Sequence, residues 1–301
     1  ITHAGLTAAQ MQTLIDGLKY TNSDQSPTAG NRVITITTMT DSGGTSDGGD
    51  DSVTVTIAST VTAAAADDDP VIANSDNTGA VTEAVADTTD TATDTLVASD
   101  ADGEAITWSC TSCTDAGATQ TLTDVYGSWV LTEATGAWTY TLNNADTDTD
   151  ALDGGDSVQE TIVMVAADAS GGNTDSITVT ITITGANDLP TSSATTTAGA
   201  EDTTLTFQTS DFSFADVDGD DSAASAFQIT VLESSGDLEC NNANGGSNGW
   251  ADCAANDIVT SAAHIRISPV AGENPADVTF SYKVSDGTAY SSAAYVKTID
   301  F

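Results

Sequence analysis

The clearest pattern in the chain runs from Ile177 to Thr184, where apolar and polar residues alternate at every position. Ile and Val point one way and Thr the other, which is the period of a β-strand with one buried face. Gly185 ends the strand, and an acidic segment closed by Pro190 follows. Because proline keeps its predecessor extended and has no N–H for a ladder, the pattern predicts an extended joint between two folded units.

The first part of the chain contains shorter versions of the same signals. Residues 33–39 and 53–61 alternate like strands around the Gly/Asp-rich loop at 41–51, and an acidic joint at 67–70 again ends in proline. Residues 1–20 instead have helical spacing, with Thr7 and Gln10 as a capping box. The apolar stripe of this helix comprises Met11, Leu14, Ile15 and Leu18. We expect the stripe to cover an edge or an end of a β-sandwich.

The order of signals after Pro70 recurs after Pro190, with a period of roughly 110–120 residues. An early Glu is followed by a D-x-D-G-acid element, by strand patterns, by an Asp before Gly and by a final alternating strand. Residues 1–66 contain only the back half of this order. The sequence therefore predicts one partial unit followed by two complete ones.

Charge limits the possible partners of this protein. Five Lys and Arg stand against 45 Asp and Glu, a formal net charge of −40. Such a surface repels nucleic acid and anionic membranes, and no apolar run is long enough to span a bilayer. Two carboxylates about 4 Å apart repel each other by roughly 4 kcal/mol at an effective dielectric constant of 20. Clusters of carboxylates therefore indicate bound divalent cations, a salty environment, or both.

The four cysteines form two local pairs, Cys110 with Cys113 and Cys240 with Cys253. An even number in a β-rich chain favours an oxidising, extracytoplasmic setting. The C-x-x-C spacing at 110–113 would suit a redox motif only at a helix N-terminus in a βαβ unit, which the pattern does not predict, so a local disulfide is favoured. Cys240 and Cys253 bracket an Asn/Gly-rich loop and most simply bridge each other.

These stretches resemble known repeats. Residues 71–188 are similar to VCBS-type repeats, most clearly from GAWTYTLNNADTDTDALDGG to ITVTITITGANDLP, and residues 191–301 resemble bacterial cadherin-like repeats through EDTTLTF, FADVDGDD and FSYKVSDG. Residues 1–66 look like the end of another such repeat, through LTAAQMQTLIDGLKYTN. The prediction is an all-β chain of tandem immunoglobulin/cadherin-like β-sandwiches with one short helix near the N-terminus. Its parts are a partial repeat (1–66), a linker (67–70), a VCBS-like sandwich (71–186), a linker (187–190) and a cadherin-like sandwich with the Cys-bracketed loop (191–301).

The resemblance implies a large secreted adhesin or surface fibre whose joints are stiffened by Ca²⁺. The D-x-D-G elements do not fit an EF-hand, because the glycine that its sixth loop position requires is missing. Loops at one end of a sandwich cluster together, however, so the early Glu, the D-x-D pair and the joint could form one site of hard oxygen ligands. The candidate ligands are Asp67, Asp68, Asp69, Glu83, Asp100, Asp102, Glu104, Asp168, Asn187, Asp188, Glu201, Asp216, Asp218, Asp220 and Asp286. Solvated acidic turns are the alternative interpretation.

Three functions remain open at this stage, none of them enzymatic, since no nucleophile, base or phosphate loop stands out. The chain could be a segment of an extracellular adhesin, a subunit of a surface filament, or a carbohydrate-binding module that uses Trp250. If the chain is a complete mature subunit, the partial first repeat predicts head-to-tail strand exchange with copies of itself. The expected donor strand carries Ala294, Val296, Ile299 and Phe301. Surface glycans or other cells would be further partners.

Overall fold

The structure is a computed structural model, which describes residues 8–24, 27–40, 51–64, 66–73, 77–84, 90–170, 172–218, 222–246, 249–272 and 277–301. Its regular elements are one helix, α1 (Ala8–Asp16), and the strands β1 (Gly30–Thr40), β2 (Ser52–Ala63), β3 (Val71–Ile72), β4 (Thr78–Thr82), β5 (Thr91–Thr95), β6 (Ala98–Ser99), β7 (Thr107–Cys110), β8 (Thr114–Asp115), β9 (Thr119–Thr123), β10 (Gly127–Thr132), β11 (Ala137–Leu142), β12 (Ser157–Ala167), β13 (Thr174–Thr184), β14 (Thr195–Ala198), β15 (Leu205–Thr206), β16 (Ala226–Val231), β17 (Asp237–Asn241), β18 (Trp250–Asp252), β19 (Ile258–Val259), β20 (Ile265–Ser268), β21 (Val278–Ser285) and β22 (Tyr295–Asp300). Short 3-10 turns lie at Thr209–Asp211, Ala243–Gly245 and Ala262–His264. The predicted all-β class with one short N-terminal helix is confirmed.

The helix α1 lies inside the predicted range, although its expected cap residue Thr7 falls outside the described residues. Ile15 of the predicted stripe is half-buried, whereas Leu18 follows the helix and is 47% exposed. The side chains of Met11 and Leu14 are not among those described.

Strands β1 and β2 form an antiparallel two-stranded ribbon with one apolar face. Ile36 lies opposite Ile57, and a register shift after Ile36 places Met39 opposite Val53. Directly paired residues share a face, so the shift keeps the apolar side chains together. Ile57 is 45% exposed and Val53 is 53% exposed, so this face is uncovered among the described residues.

The middle repeat forms a β-sandwich. One sheet has the order β5-β11-β10-β9-β8 and the other β4-β13-β12-β7, while β3 and β6 pair separately. Trp129 of β10 and Tyr140 of β11 are at most 1% exposed, as are Met164 and Ile181 of the other sheet. The alternation in β13 arises because its Ile and Val side chains fill this core while its Thr side chains face outward.

The C-terminal repeat forms a second sandwich, with the sheets β14-β22-β21-β16-β19 and β15-β20-β17-β18. Its core is aromatic: Phe212 contacts Phe227 and Tyr282 with ring centroids 4.7 and 4.9 Å apart. Such offset and edge-to-face pairs contribute beyond the area they bury.

Both predicted disulfides are present, Cys110–Cys113 and Cys240–Cys253, with Cα atoms 5.5 and 5.0 Å apart. Cys240 and Cys253 are 2% and 6% exposed, so the second bridge is part of the C-terminal core. The Cys-bracketed loop therefore starts and ends inside the sandwich.

The role of the predicted donor strand in exchange stays a prediction, but the structure shows its partners within this chain. Strand β22, which carries Val296 and Ile299, pairs with β21 on one side and with β14 on the other. Ile299 is fully buried, and Phe301 packs against the same core. Ala294 immediately precedes this strand. Releasing the segment for exchange would therefore open the core of its own sandwich.

Contacts along the chain define two compact units that are discontinuous in sequence. The first comprises Ile1–Asn74, Leu96–Ser109 and Val165–Ser176, and the second comprises Ser75–Thr95, Cys110–Met164 and Ile177–Phe301. The acidic joint at 67–70 and its surroundings lie in the first unit, and the joint at 187–190 lies in the second. The linear division of the chain into repeats stays a prediction. In the described part of the chain, no helix is long and apolar enough to cross a membrane.

Candidate metal centres at the two joints

The first joint is tied to the D-x-D-G-E turn through backbone N–H groups. Asp68 donates its N–H to Asp102 Oδ2 at 2.9 Å, and Asp102 donates its own to Asp100 Oδ1 at 2.8 Å. Glu104 N–H also reaches Asp100 Oδ1, at 3.3 Å. Gly103 has a φ of +78°, a conformation that favours glycine and lets the turn close around Asp100.

Three carboxylates converge beside this turn. One oxygen each from Asp67, Glu104 and Asp168 lies within 4.8 Å of the other two. Ser170 Oγ lies 2.6 Å from Asp67 Oδ2 and 2.7 Å from Asp168 Oδ1, so its single proton can be donated to either carboxylate, and Ser170 N–H donates to Asp168 Oδ1 at 3.0 Å. Asp168 is 4% exposed. Asp69 is exposed and is not one of the converging carboxylates.

The environment of the first joint disfavours a negative charge. Burial raises the pKa of Glu104, and the carboxylates of Asp67 and Asp168 raise it further. One carboxylate oxygen in each of Asp68, Asp100 and Glu104 is buried without a hydrogen-bond donor among the described residues. A buried carboxylate oxygen without a donor is costly, so these oxygens would gain from binding a cation.

The second joint repeats this hydrogen-bond pattern. Asp188 donates its N–H to Asp218 Oδ2 at 2.9 Å, and Asp218 donates its own to Asp216 Oδ1 at 3.3 Å. Asn187 Nδ2 reaches Asp286 Oδ2 at 3.3 Å. These residues correspond to those of the first joint in the order in which they occur, so the two acidic elements share the same local hydrogen bonds.

Asp218 lies at the centre of the second joint. It is 3% exposed, and its Oδ1 accepts no hydrogen bond from any described residue. Burial raises the pKa of Asp218 to about 7 against the opposing hydrogen bond from Asp188, and the carboxylate of Asp216 adds to the shift. Burial also raises the pKa of Asp216.

Glu83 belongs to the second joint. It is 5% exposed, and its Oε2 accepts the N–H of Ala186 at 3.0 Å. Burial raises the pKa of Glu83, and the nearby carboxylates of Asp188 and Asp150 raise it further. The early Glu of one repeat therefore lies at the joint that follows that repeat, and the D-x-D turn of the next repeat is hydrogen-bonded to the same joint. The D-x-D turn of its own repeat instead lies with the preceding joint.

Asp150 and Asp153 are functional candidates that sequence reasoning missed. The negative charge of Asp150 raises the pKa of Glu83, and that of Asp153 raises the pKa of Asp216 and Asp218. The loop that carries them packs closely on the joint, since a Cβ on Gly185 would lie 2.5 Å from the carbonyl oxygen of Asp153. The Asp-Gly-Gly run at 153–155 was the available signal.

Besides Asp69, two further predicted ligands are not brought to either cluster by the described contacts. Glu201 is an exposed turn residue whose carbonyl accepts the hydroxyl of Thr203 at 3.3 Å. Asp220 lies outside the described residues.

The donor chemistry of both joints suits a hard divalent cation. Every candidate ligand atom is a carboxylate or a carboxamide oxygen, and all four cysteines are held in disulfides. Among the residues that the structure describes, the single ion pair is Arg266 with Glu239, so no basic side chain neutralises either joint. Oxygen ligands of this kind favour Ca²⁺ over transition metals.

Trp250 is the one tryptophan in the structure that is not buried. The guanidinium of Arg266 lies 4.1 Å from the centre of the indole ring, and it forms two bonds with the carboxylate of Glu239, at 2.6 and 2.8 Å. One stacking face of the indole is therefore occupied. This arrangement gives little support to a sugar-binding platform.

Comparisons with known proteins identify no relative by sequence: no family and no curated protein matches the chain. Among solved structures, the human protocadherin-24 EC1-2 fragment (form II) is 14% identical, with a TM-score of 0.40 over 77% of this chain and 97% of the other. Drosophila N-cadherin EC1-4 is 12% identical, with a TM-score of 0.28 over 93% of this chain and 59% of the other. An endo-fucoidan hydrolase of glycoside hydrolase family 107 is 14% identical, with a TM-score of 0.26 over 81% of this chain and 32% of the other.

Proposed function

We propose that the chain is a calcium-stiffened segment of an extracellular adhesive or filament-forming protein. The observation that carries the proposal is the hydrogen-bond pattern that recurs at two acidic joints, from Asp68 to Asp102 and from Asp188 to Asp218, both at 2.9 Å. A solvated acidic turn has no reason to bury its carboxylates, whereas Asp168 and Asp218 are 4% and 3% exposed.

Among the described residues, three carboxylate oxygens lie within 4.8 Å of one another at the first joint only. The second joint is surrounded by six oxygen-bearing side chains, and calcium takes six to eight oxygens. The side chains that would hold the ion are those of Glu83, Asn187, Asp188, Asp216, Asp218 and Asp286. A bound divalent ion would replace carboxylate repulsions of roughly 4 kcal/mol for a pair at about 4 Å with attraction. Because Glu83 precedes the joint and Asp218 follows it, the ion would tie two consecutive repeats together.

The charge and the disulfides support an extracellular location. A net charge of −40 keeps copies apart and soluble unless cations bind, and disulfides persist in oxidising environments. Attachment to a surface, through glycans or other cells, is the activity that suits such a chain. The proposal includes neither nucleic-acid binding nor membrane insertion.

The apolar face of the β1–β2 ribbon is the surface through which we propose that copies associate. The comparable pair in the middle sandwich is β12–β13. Its Met164 and Ile181 are fully buried against the other sheet, which carries Trp129 and Tyr140. Ile57 and Val53 have no such cover among the described residues. Strand β22 is paired within its own sandwich, so we propose that another segment of the neighbouring copy covers this apolar face.

Calcium titration by calorimetry tests the central proposal. The full chain, freed of metal, should bind Ca²⁺ at both joints, and Asp218→Asn should weaken binding at the second joint by about tenfold or more, as expected for the loss of a charged ligand worth about 1.5–3 kcal/mol. Asp252→Asn, which changes an exposed carboxylate outside the joints, is the matched control. Identical isotherms for the parent and the Asp218 variant would refute the assignment.

A further inference from the structure

Lys297 is a lysine buried inside the C-terminal sandwich. It lies on β22, is fully buried, and is surrounded by the rings of Phe207 and Phe212, whose centres are 5.7 and 5.3 Å from Nζ. Burial lowers the pKa of its ammonium group, and Asp211 partly opposes the shift. Lysine is almost never fully buried unless its donors are paired, so its contacts call for an explanation.

All three Nζ donors of Lys297 have acceptors outside β22. Nζ donates to Thr195 Oγ1 at 3.1 Å and to Thr197 Oγ1 at 2.6 Å, both on β14, and to the carbonyl oxygen of Asp211. The two hydroxyls donate in turn to Asp211, at 2.9 and 3.0 Å. Lys297 therefore fastens β14 to β22 and to the 3-10 turn that ends at Asp211.

Strand β14 lies at the edge of its sheet and pairs only with β22, in parallel, from Thr195 opposite Lys297 to Ala198 opposite Asp300. β14 is the first strand of the sandwich and β22 the last. Pulling the two ends of the sandwich apart would therefore drag the strands past each other, which loads the parallel ladder along the strands rather than across it.

We propose that Lys297 locks β14 against β22 and sets the force at which the C-terminal sandwich unfolds when the chain is pulled by its ends. Any slip of β14 along β22 must break the bonds to Thr195 and Thr197 together. Water cannot reach the buried ammonium to replace them, and charge-assisted bonds are stronger than neutral ones. The proposal does not depend on calcium.

The middle sandwich provides an internal reference. The first strand of its two main sheets, β4, also pairs in parallel with the last, β13, from Thr78 opposite Thr180 to Thr82 opposite Thr184. Its inward residues there are Gly79, Val81, Ile181 and Ile183, so no ammonium group bridges the pair. Both sandwiches thus have the same strand geometry, and only the C-terminal one has the lysine lock.

Force spectroscopy of the full chain, tethered at its two ends, tests the proposal. At constant force, Lys297→Met should raise the unfolding rate of the C-terminal sandwich at least about tenfold, the effect of losing one charge-assisted hydrogen bond, and leave the middle sandwich unchanged. Lys283→Met, on the outer side of β21, is the control and should change neither rate.

A second arm separates a lock from general stability. Ile267→Val weakens the core at β20, which belongs to the other sheet, and leaves every residue of β14 and β22 unchanged. Relative to the loss of melting temperature that each variant causes, it should raise the unfolding rate under force less than Lys297→Met does. Thr197→Val removes one acceptor of the Lys297 ammonium and should also raise the unfolding rate under force. If Lys297→Met fails to fold, the Thr197 variant alone tests the proposal. A rate for either lock variant within about twofold of the parent, or equal to that of a core variant matched in melting temperature, overturns the proposal.

Discussion

Asp188 donates its backbone N–H to the carboxylate of Asp218 at 2.9 Å, and this bond joins the extended joint to the turn of the repeat that follows it. It occupies one oxygen of the carboxylate, while the other, Oδ1, has no hydrogen-bond donor among the described residues. The first joint uses the same bond between Asp68 and Asp102. The backbone thus orients both carboxylates, and in Asp218 it leaves an oxygen that can bind a cation.

Calcium should stabilise the folded chain. A ligand that binds only the folded state stabilises it by about 2.7 kcal/mol per site at a hundred times its dissociation constant. Thermal melts at matched ionic strength should therefore show a higher melting temperature in millimolar Ca²⁺ than in EGTA. Superimposable curves would show that neither joint binds the ion.

Without calcium, stability should fall as pH rises. The folded Asp218 carboxyl has a pKa of about 7, raised by burial, against its ordinary 3.8, so between these values the folded state holds a proton that the unfolded state has released. The free energy of unfolding therefore decreases as pH increases through this range. The raised pKa values of Glu83, Glu104 and Asp216 act in the same direction.

Melts of chain treated with a chelating resin, at about pH 5 and about pH 8, measure this effect. The melting temperature should be higher at the lower pH, and Asp218→Asn should reduce the difference. A melting temperature that rises with pH in the metal-free chain would contradict the prediction.

The two disulfides should differ in their contribution. Cys240–Cys253 closes a longer loop and is buried in the C-terminal core, whereas Cys110–Cys113 spans a sequence separation of 3. Replacing both Cys240 and Cys253 with Ala should lower the free energy of unfolding by about 3 kcal/mol on the chain-entropy account. Urea unfolding measures it, with the double alanine variant at 110 and 113 as the comparison. An equal or larger loss in that comparison variant would be the contrary result.

Tyr140 should be needed to keep Glu160 buried. Its hydroxyl donates to Glu160 Oε2 at 2.7 Å, and Tyr126 N–H donates to Oε1 at the same distance. Tyr140→Phe removes one donor from a carboxylate that is 6% exposed, and should lower the free energy of unfolding by about 1–3 kcal/mol. Urea unfolding, with Tyr20→Phe as the exposed control, measures the loss; a variant as stable as the parent would show that the bond is dispensable.

Local patterns predicted the strands and the acidic turns well, because both depend on neighbours in sequence. The alternation in β13 and the D-x-D turns at Asp100 and Asp216 are properties of a few consecutive residues. The positions of Asp150 and Asp153 depend instead on how a distant loop packs against Gly185. The alternation of residues within a strand or a turn therefore cannot predict where Asp150 and Asp153 lie.

The pairing of the predicted donor strand also depends on residues that are distant in sequence. The pattern at 294–301 shows a strand with nothing after it, which suggested an open edge. Its parallel partner β14 begins at Thr195, far away in sequence, and parallel pairing needs such long connections. Lys297 was missed as well, because a lysine in an alternating strand gives no sign that it faces the core.

The sharing of the second joint between Glu83 and Asp218 restricts how a gene of this kind can change its number of repeats. Unequal crossing-over that joins two repeats at matching points restores a whole set of acids at the new boundary. A crossover out of phase would leave buried carboxylates without their counterparts, and each would destabilise the product. We therefore expect selection to keep the breakpoints in phase, so that the number of repeats can change while the spacing between acidic boundaries stays fixed.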